Sequence, residues 1–186
     1  MFREFWNDRI NWLADAGLCM PDKSIEELES LVGTSVVTVE GFEIEAGKVE
    51  EFARAIKDDD EVHRDVDVAR ERGFERVPAP LTFERVSMFP RYRTVERFGI
   101  DLGFRREYTI HGEQEYEYER PLLVGDVLTG TTTLTDVYQR NGGRGGTMTF
   151  AELETMYTDE ADELVLTARS VAIETAGAIG SGGGDE

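Results

Sequence analysis

The architecture of this chain turns on Pro78-Ala79-Pro80-Leu81-Thr82-Phe83-Glu84-Arg85-Val86-Ser87-Met88-Phe89. Leu81, Phe83, Val86, Met88 and Phe89 place apolar side chains on most sides of a helix beginning near Pro80. Proline suits the first turn of a helix, where its missing N–H forfeits no bond. A helix that is apolar nearly all round is a buried helix. The rest of the chain must therefore wrap it.

The wrapping is legible downstream. Residues 108–122 alternate, with Glu113, Glu115, Glu117 and Glu119 on one side and Gln114, Tyr116 and Tyr118 on the other. That period of two predicts a half-buried strand. Residues 127–138 form a Thr-rich strand, residues 141–146 a Gly-rich turn, and residues 147–158 a returning strand. Residues 159–162 turn again, and the last strand runs over 164–174. Four antiparallel strands joined by short turns, following one buried helix, give an α+β architecture. There is no internal repeat, so one such unit is expected.

Upstream, residues 36–44 read as a strand. Val49, Phe52, Ala53 and Ile56 follow at i, i+3, i+4 and i+7, which predicts an amphipathic helix over 46–57. A further helical turn or two over 67–72 closes at Gly73. Phe2, Phe5, Trp6, Ile10 and Leu13 share one face of a helix over 2–16, and Gly17 offers a stop. Ser24-Ile25-Glu26-Glu27 has the spacing of a capping box, predicting a short helix to about residue 32. The expected organisation is a helical extension over 1–33, a domain over 34–176, and a disordered Gly-rich tail over 177–186.

Composition narrows the function classes. The formal net charge is -19, with 39 acidic against 20 basic residues, which excludes a phosphate-binding nucleic-acid partner. Lysine is confined to Lys23, Lys48 and Lys57, and the acids are dispersed. That surface resembles those of proteins from salt-rich cytosols, where salt screens the self-repulsion. No apolar run reaches membrane-spanning length, and the N-terminus carries no apolar signal core. The single cysteine, Cys19, fits a reducing cytoplasm.

The chemistry is concentrated in Asp58-Asp59-Asp60-Glu61-Val62-His63. The chain has two histidines, and one stands five positions after an aspartate. A carboxylate and an imidazole at that spacing can close around one water. Such a pair suits adding water to, or removing it from, an activated double bond.

Together with Gly73-Phe74, Pro78-Ala79-Pro80-Leu81-Thr82-Phe83 and the later His111-Gly112-Glu113-Gln114-Glu115-Tyr116-Glu117-Tyr118-Glu119-Arg120-Pro121-Leu122-Leu123-Val124-Gly125-Asp126, this segment resembles the MaoC-like hydratase/dehydratase family. The branch it resembles best is the FAS1-like dehydratase, or MaoC N-terminal, domain. The resemblance covers about residues 34–175. It implies a single hot-dog fold and an (R)-specific enoyl-CoA hydratase or 3-hydroxyacyl dehydratase. The implied substrate is an acyl thioester on coenzyme A or acyl carrier protein, and no cofactor is implied. It further implies a homodimer, or a heterodimer with another MaoC-like subunit.

By that resemblance Asp58 and His63 activate the water, and N–H groups at the start of the buried helix receive the enolate oxygen. Two departures stand out. Asp60-Glu61 replaces Asn-Pro between the pair and adds negative charge beside it. Pro80 replaces the glycine whose N–H serves as oxyanion donor, so Ala79 or Leu81 has to substitute. A non-catalytic, tunnel-shaping subunit and a hot-dog thioesterase are the alternatives. Members with the scaffold role have lost the Asp and the His, and this chain keeps both.

Other motifs carry less. His111 opens a strand, where histidines are more often structural. Two histidines and one cysteine far apart make no metal site. The run 142–146 lacks the Lys-Ser/Thr of a P-loop, although Arg144 at its tip is placed to meet a carrier phosphate. Ser87 has no nucleophile-elbow context.

Overall fold

The computed structural model describes residues 22–95, 98–141 and 146–175. The expected helix over 2–16, Arg144 and the tail lie outside those residues. Helix α1 spans Ile25–Glu29 and strand β1 spans Ser35–Glu43. Helix α2 spans Ala46–Ala55 and α3 spans Val66–Glu71. Strands β2 (Thr109–Tyr118), β3 (Val127–Asn141), β4 (Thr147–Thr158) and β5 (Leu164–Glu174) follow. They form one antiparallel sheet in the order β1-β3-β4-β5-β2.

Local chemistry accounts for the boundaries. Ser24 caps α1 as expected: its hydroxyl accepts from Glu27 N at 3.2 Å, and Glu27 Oε2 accepts from Ser24 N at 2.7 Å. Asp159 closes the β4–β5 turn by accepting from Ala161 N and Glu163 N. On β2 the glutamates face out while Gln114, Tyr116 and Tyr118 are half-buried, as the alternation requires.

The same face of the sheet carries two apolar cores. One gathers Val39, Phe42, Val49, Phe83, Val86, Tyr157 and Leu166. Phe42 makes an edge contact with Tyr92 at 5.2 Å, and Phe52 of α2 meets Phe83 at 5.4 Å. The other gathers Leu28, Leu134, Leu153 and Ala172. Leu28 is fully buried there, so α1 packs as part of this body.

The expected α-helix from Pro80 to Phe89 is instead a 3₁₀ helix over Phe83–Met88. Phe83 N bonds Pro80 O and Arg85 N bonds Thr82 O, each an i→i+3 bond. Three residues per turn put Phe83 and Val86 on one buried face and Glu84 and Ser87 on the next. Leu81, Met88 and Phe89 consequently point outward, Leu81 being 71% exposed. The segment is central, but its buried side is half polar.

Glu84 explains why that is tolerated. Its Oε1 accepts from Tyr157 OH at 2.5 Å and from Ser87 OH at 3.3 Å, and its Oε2 from Tyr116 OH at 3.1 Å. A buried carboxylate is affordable only when it is so bonded. Burial first, then the charge of Glu84, pushes the Tyr157 phenol well above its ordinary pKa, so it remains a donor.

Candidate active site

Helix α2 ends in a Schellman-type turn. Lys57 N bonds Arg54 O at 3.2 Å, and Asp58 N bonds Ala53 O at 2.9 Å. The turn needs a left-handed residue, and Lys57 takes that conformation at φ 60° without being glycine. It delivers Asp58 to the mouth of a cleft. Asp58 Oδ1 then accepts from Asp60 N at 3.1 Å. Asp60 Oδ1 accepts from Val62 N at 3.0 Å, capping the 3₁₀ turn Glu61–His63. Buried Val62 anchors that turn and aims His63 back toward Asp58.

The added charge of Asp60 is committed elsewhere. Arg72 Nη1 donates to Asp60 Oδ2 at 2.5 Å, and this bond holds the Asp60 carboxyl below its usual range.

His63 Nε2 lies 3.3 Å from Asp58 Oδ2, and His63 Nδ1 lies 2.8 Å from Pro78 O. A carbonyl oxygen only accepts, so Nδ1 carries the proton. In the neutral ring Nε2 then presents a lone pair to a carboxylate oxygen. Two acceptors face one another. At 3.3 Å no water fits between the two acceptors, so a water that serves both sits beside the pair, within reach of Nε2 and of Oδ2.

Pro78 is fixed by its own partners. Ala79 N donates to Leu122 O at 2.8 Å and Val124 N donates to Val77 O at 2.9 Å. The 120–126 segment is held by Asp126, whose Oδ2 accepts from Arg120 at 2.6 Å and from Leu123 N at 3.0 Å. Asp126 Oδ1 accepts from Arg76 at 2.7 Å. The Arg-Pro…Gly-Asp motif is thus a clamp on the strand that sets the histidine tautomer. Sequence reasoning missed Pro78 because its contribution is a backbone carbonyl, which no side-chain pattern announces.

Asp58, His63, Ala79 and Leu81 all line one open cleft of about 520 Å³, with Arg72, Phe74, Pro80 and Pro121. Asp58 and His63 also wall a depression of about 50 Å³, on the scale of a water. The Ala79 amide, however, is spent on Leu122 O, so it is not an oxyanion donor. Pro80 has no N–H. Leu81 N–H has no hydrogen-bond partner among the described residues, while Leu81 O accepts from Tyr118 OH. The expected helix-end dipole is reduced too, because the 3₁₀ helix has six residues. His111 lines a different cavity and Ser87 has no histidine beside it. Among the described residues no cluster of His, Cys, Asp and Glu could hold a metal, and no helix is long and apolar enough to cross a membrane.

Comparison with known proteins agrees with this architecture. A UPF0336 protein of Thermobifida fusca is 34% identical over 143 residues, covering 76% of this chain and 90% of that protein. A solved MaoC-like dehydratase is 27% identical at a TM-score of 0.65, over 79% of this chain. The chain spans 43% of that larger protein. The C-terminally truncated HadBC (3R-hydroxyacyl-ACP dehydratase) complex of Mycobacterium tuberculosis shares the fold. Its TM-score is 0.58 at 22% identity, over 77% of this chain and 96% of that one. The sheet and its central segment are therefore a hot-dog fold. The model for the FAS1-like dehydratase domain region matches residues 30–168, and the chain belongs to that family.

Proposed function

We propose that this chain is a hydro-lyase that adds water to a trans-2-enoyl thioester, or removes it from the 3-hydroxyacyl thioester, of coenzyme A or acyl carrier protein. The observation that carries the reading is the bond from His63 Nδ1–H to Pro78 O. It leaves Nε2 as a base 3.3 Å from the Asp58 carboxylate.

In hydration a water donates to Nε2 and to Asp58 Oδ2, and its oxygen lone pair attacks C3. His63 Nε2 takes the proton as the O–C3 bond forms. The C2–C3 π electrons move into the C1–C2 bond, and those of the thioester C=O move onto its oxygen. The imidazolium is held between Pro78 O and Asp58. It then returns the proton to C2, and the electrons flow back to restore the carbonyl. Dehydration is the reverse. Leu81 N–H is the donor assigned to the enolate oxygen, and such a donor is typically worth about 3 kcal/mol of barrier.

One observation favours a second reading, a substrate-binding subunit of a heterodimeric dehydratase. Pro80 has no N–H and the Ala79 amide is occupied, so the oxyanion site has lost two donors. One assay separates these readings from the thioesterase. Purified chain is mixed with crotonyl-CoA at high salt and the enoyl absorbance is followed. Loss of absorbance by the chain alone supports hydration. Loss only after a second MaoC-like protein is added supports the subunit reading, and release of free thiol supports thioester cleavage.

A further inference from the structure

The described residues begin at Asp22, and there the chain lies against the loop that packs on the core around Leu28. Lys23 Nζ donates to Asp101 Oδ2 at 2.7 Å, and Asp101 Oδ1 accepts from Gly103 N at 3.0 Å. A Cβ on Gly103, whose φ is 63°, would stand 3.0 Å from Lys23 Cγ and 3.4 Å from Asp22 Cβ. Glycine at 103 thus lets the chain enter the domain in close contact with this loop.

Residues 98–104 alternate. Phe98, Ile100, Leu102 and Phe104 pack into the core with Leu28. Gly99, Asp101 and Gly103 stand between them and keep some exposure. Two glycines in that row leave bare backbone, flanked by half-buried Val95. Together these residues wall a cavity of about 330 Å³. Asp101 is the charged residue of that wall, and Lys23 already engages it. The rest of the wall is apolar side chain and backbone.

We propose that this cavity is the docking site of the chain's own N-terminal segment, residues 1–21, whose apolar face enters it beside Val95 and Phe98. Phe2, Phe5, Trp6, Ile10 and Leu13 share one face of the expected helix over 2–16, a surface that calls for a partner. The segment carries Arg3 and Arg9 against Glu4, Asp8 and Asp15, so it is close to neutral in a chain of net charge -19. The acidic body does not repel it, and it is too poor in basic residues to favour an anionic lipid surface. The reach suffices. A helix over 2–16 is about 22 Å long, and residues 17–21 extend at most about 17 Å. Gly17 and Pro21 suit the reversal between them. The tether is fixed at the rim, so the segment faces the cavity at an effective concentration that a free partner in dilute solution does not reach. The cavity lies at the small end of the range for enclosed ligands, about 300–1,000 Å³, so it takes one or two large side chains rather than a whole helix. The Asp58–His63 cleft has no part in this docking, and no hydratase activity is needed to test it.

The test is tryptophan fluorescence of the full chain, because its two tryptophans, Trp6 and Trp12, both stand in this segment. In Trp12→Phe the emission comes from Trp6 alone. It should be blue-shifted against the urea-unfolded chain, shielded from acrylamide, and unchanged on dilution. Adding Phe98→Asp should shift the docking equilibrium toward release by roughly tenfold or more, the scale of one large apolar contact. The readout is a red shift and acrylamide access at unchanged circular dichroism. A second measurement leaves the cavity wall apolar and carries the test if Phe98→Asp does not fold. A nitroxide on Asp101→Cys, in a Cys19→Ser background, should quench Trp6, and the same label on Glu117→Cys of β2 should not; both positions are exposed. Solvent-like Trp6 emission in the folded chain overturns the docking. Shielding that is lost on dilution, or that needs added anionic vesicles, assigns the face to a second copy or to a membrane and overturns the proposal. Shielding that survives Phe98→Asp in folded protein, or equal quenching by the two labels, overturns the site.

Discussion

Tyr157→Phe removes one hydroxyl from the fully buried centre of the domain and changes nothing else in volume. Tyr157 is 1% exposed, and its OH donates to Glu84 Oε1 at 2.5 Å. The ring keeps its contact with Phe42, so the loss is confined to the hydroxyl's bonds, to Glu84 and at 2.9 Å to Ser87 Oγ. A hydrogen bond to a charged group contributes about 1.5–3 kcal/mol, and a short, buried one belongs in the upper half of that range. We expect Tyr157→Phe to cost about 2–3 kcal/mol. Tyr116→Phe, which loses a 3.1 Å bond at a half-buried site, should cost about 1–1.5 kcal/mol. Urea unfolding measures both: the midpoint should fall by roughly 1 M for the first at unchanged m-value. The Glu84→Gln, Tyr157→Phe double variant should show a coupling of about 1 kcal/mol or more. A Tyr157→Phe protein as stable as the parent, or one less affected than Tyr116→Phe, would refute the claim that this carboxylate is held by its hydroxyl donors.

Three further outcomes follow from particular contacts. Lys57→Gly should stabilise the fold by about 1 kcal/mol, because it relieves a left-handed side chain at the end of α2; a destabilised variant in the same melt would remove that account of the turn. Arg72 holds the Asp60 carboxyl below its ordinary value, so the pair's contribution is full above the ordinary carboxylate pKa. That contribution is lost as pH falls through the lowered folded value. Arg72→Gln should therefore start acid unfolding at a higher pH, and an unchanged acid limb would show the pair to be idle. Strands β1 and β2 are both sheet edges, and light scattering at high salt should give about twice the 20.9 kDa chain mass; a monomer that hydrates enoyl-CoA would contradict that assembly.

Much of the fold was legible because it is written in local periods. The glutamate alternation of β2, the capping box at Ser24 and the i, i+3, i+4, i+7 pattern of α2 each depend on neighbours in sequence. The convergence of Asp58 and His63 was legible for the same reason, since five residues of turn bring them together. What escaped depends on distant partners. The 3₁₀ geometry of the central segment goes with a glutamate that accepts from three hydroxyls, two of them on β2 and β4. An apolar count over residues 80–89 takes no account of that glutamate. The Ala79 amide is withdrawn by Leu122, forty-three positions away. The histidine tautomer is set by a proline carbonyl, and proline is read in sequence only for what it lacks.

Paired variants decide whether Asp58 and His63 act on one water. The measurement is the hydration rate of crotonyl-CoA by Asp58→Asn, His63→Gln and the double variant, each verified as folded by circular dichroism, with His111→Gln as control. Each single variant should lose a factor of about 10² to 10⁴, the usual contribution of a proton-transfer group. The double variant should be little slower than the worse single one, because groups acting as a unit are not additive. His111→Gln should retain most of the rate. If the two losses multiply, or if His111→Gln abolishes turnover in folded protein while His63→Gln leaves it intact, the site has been placed on the wrong residues.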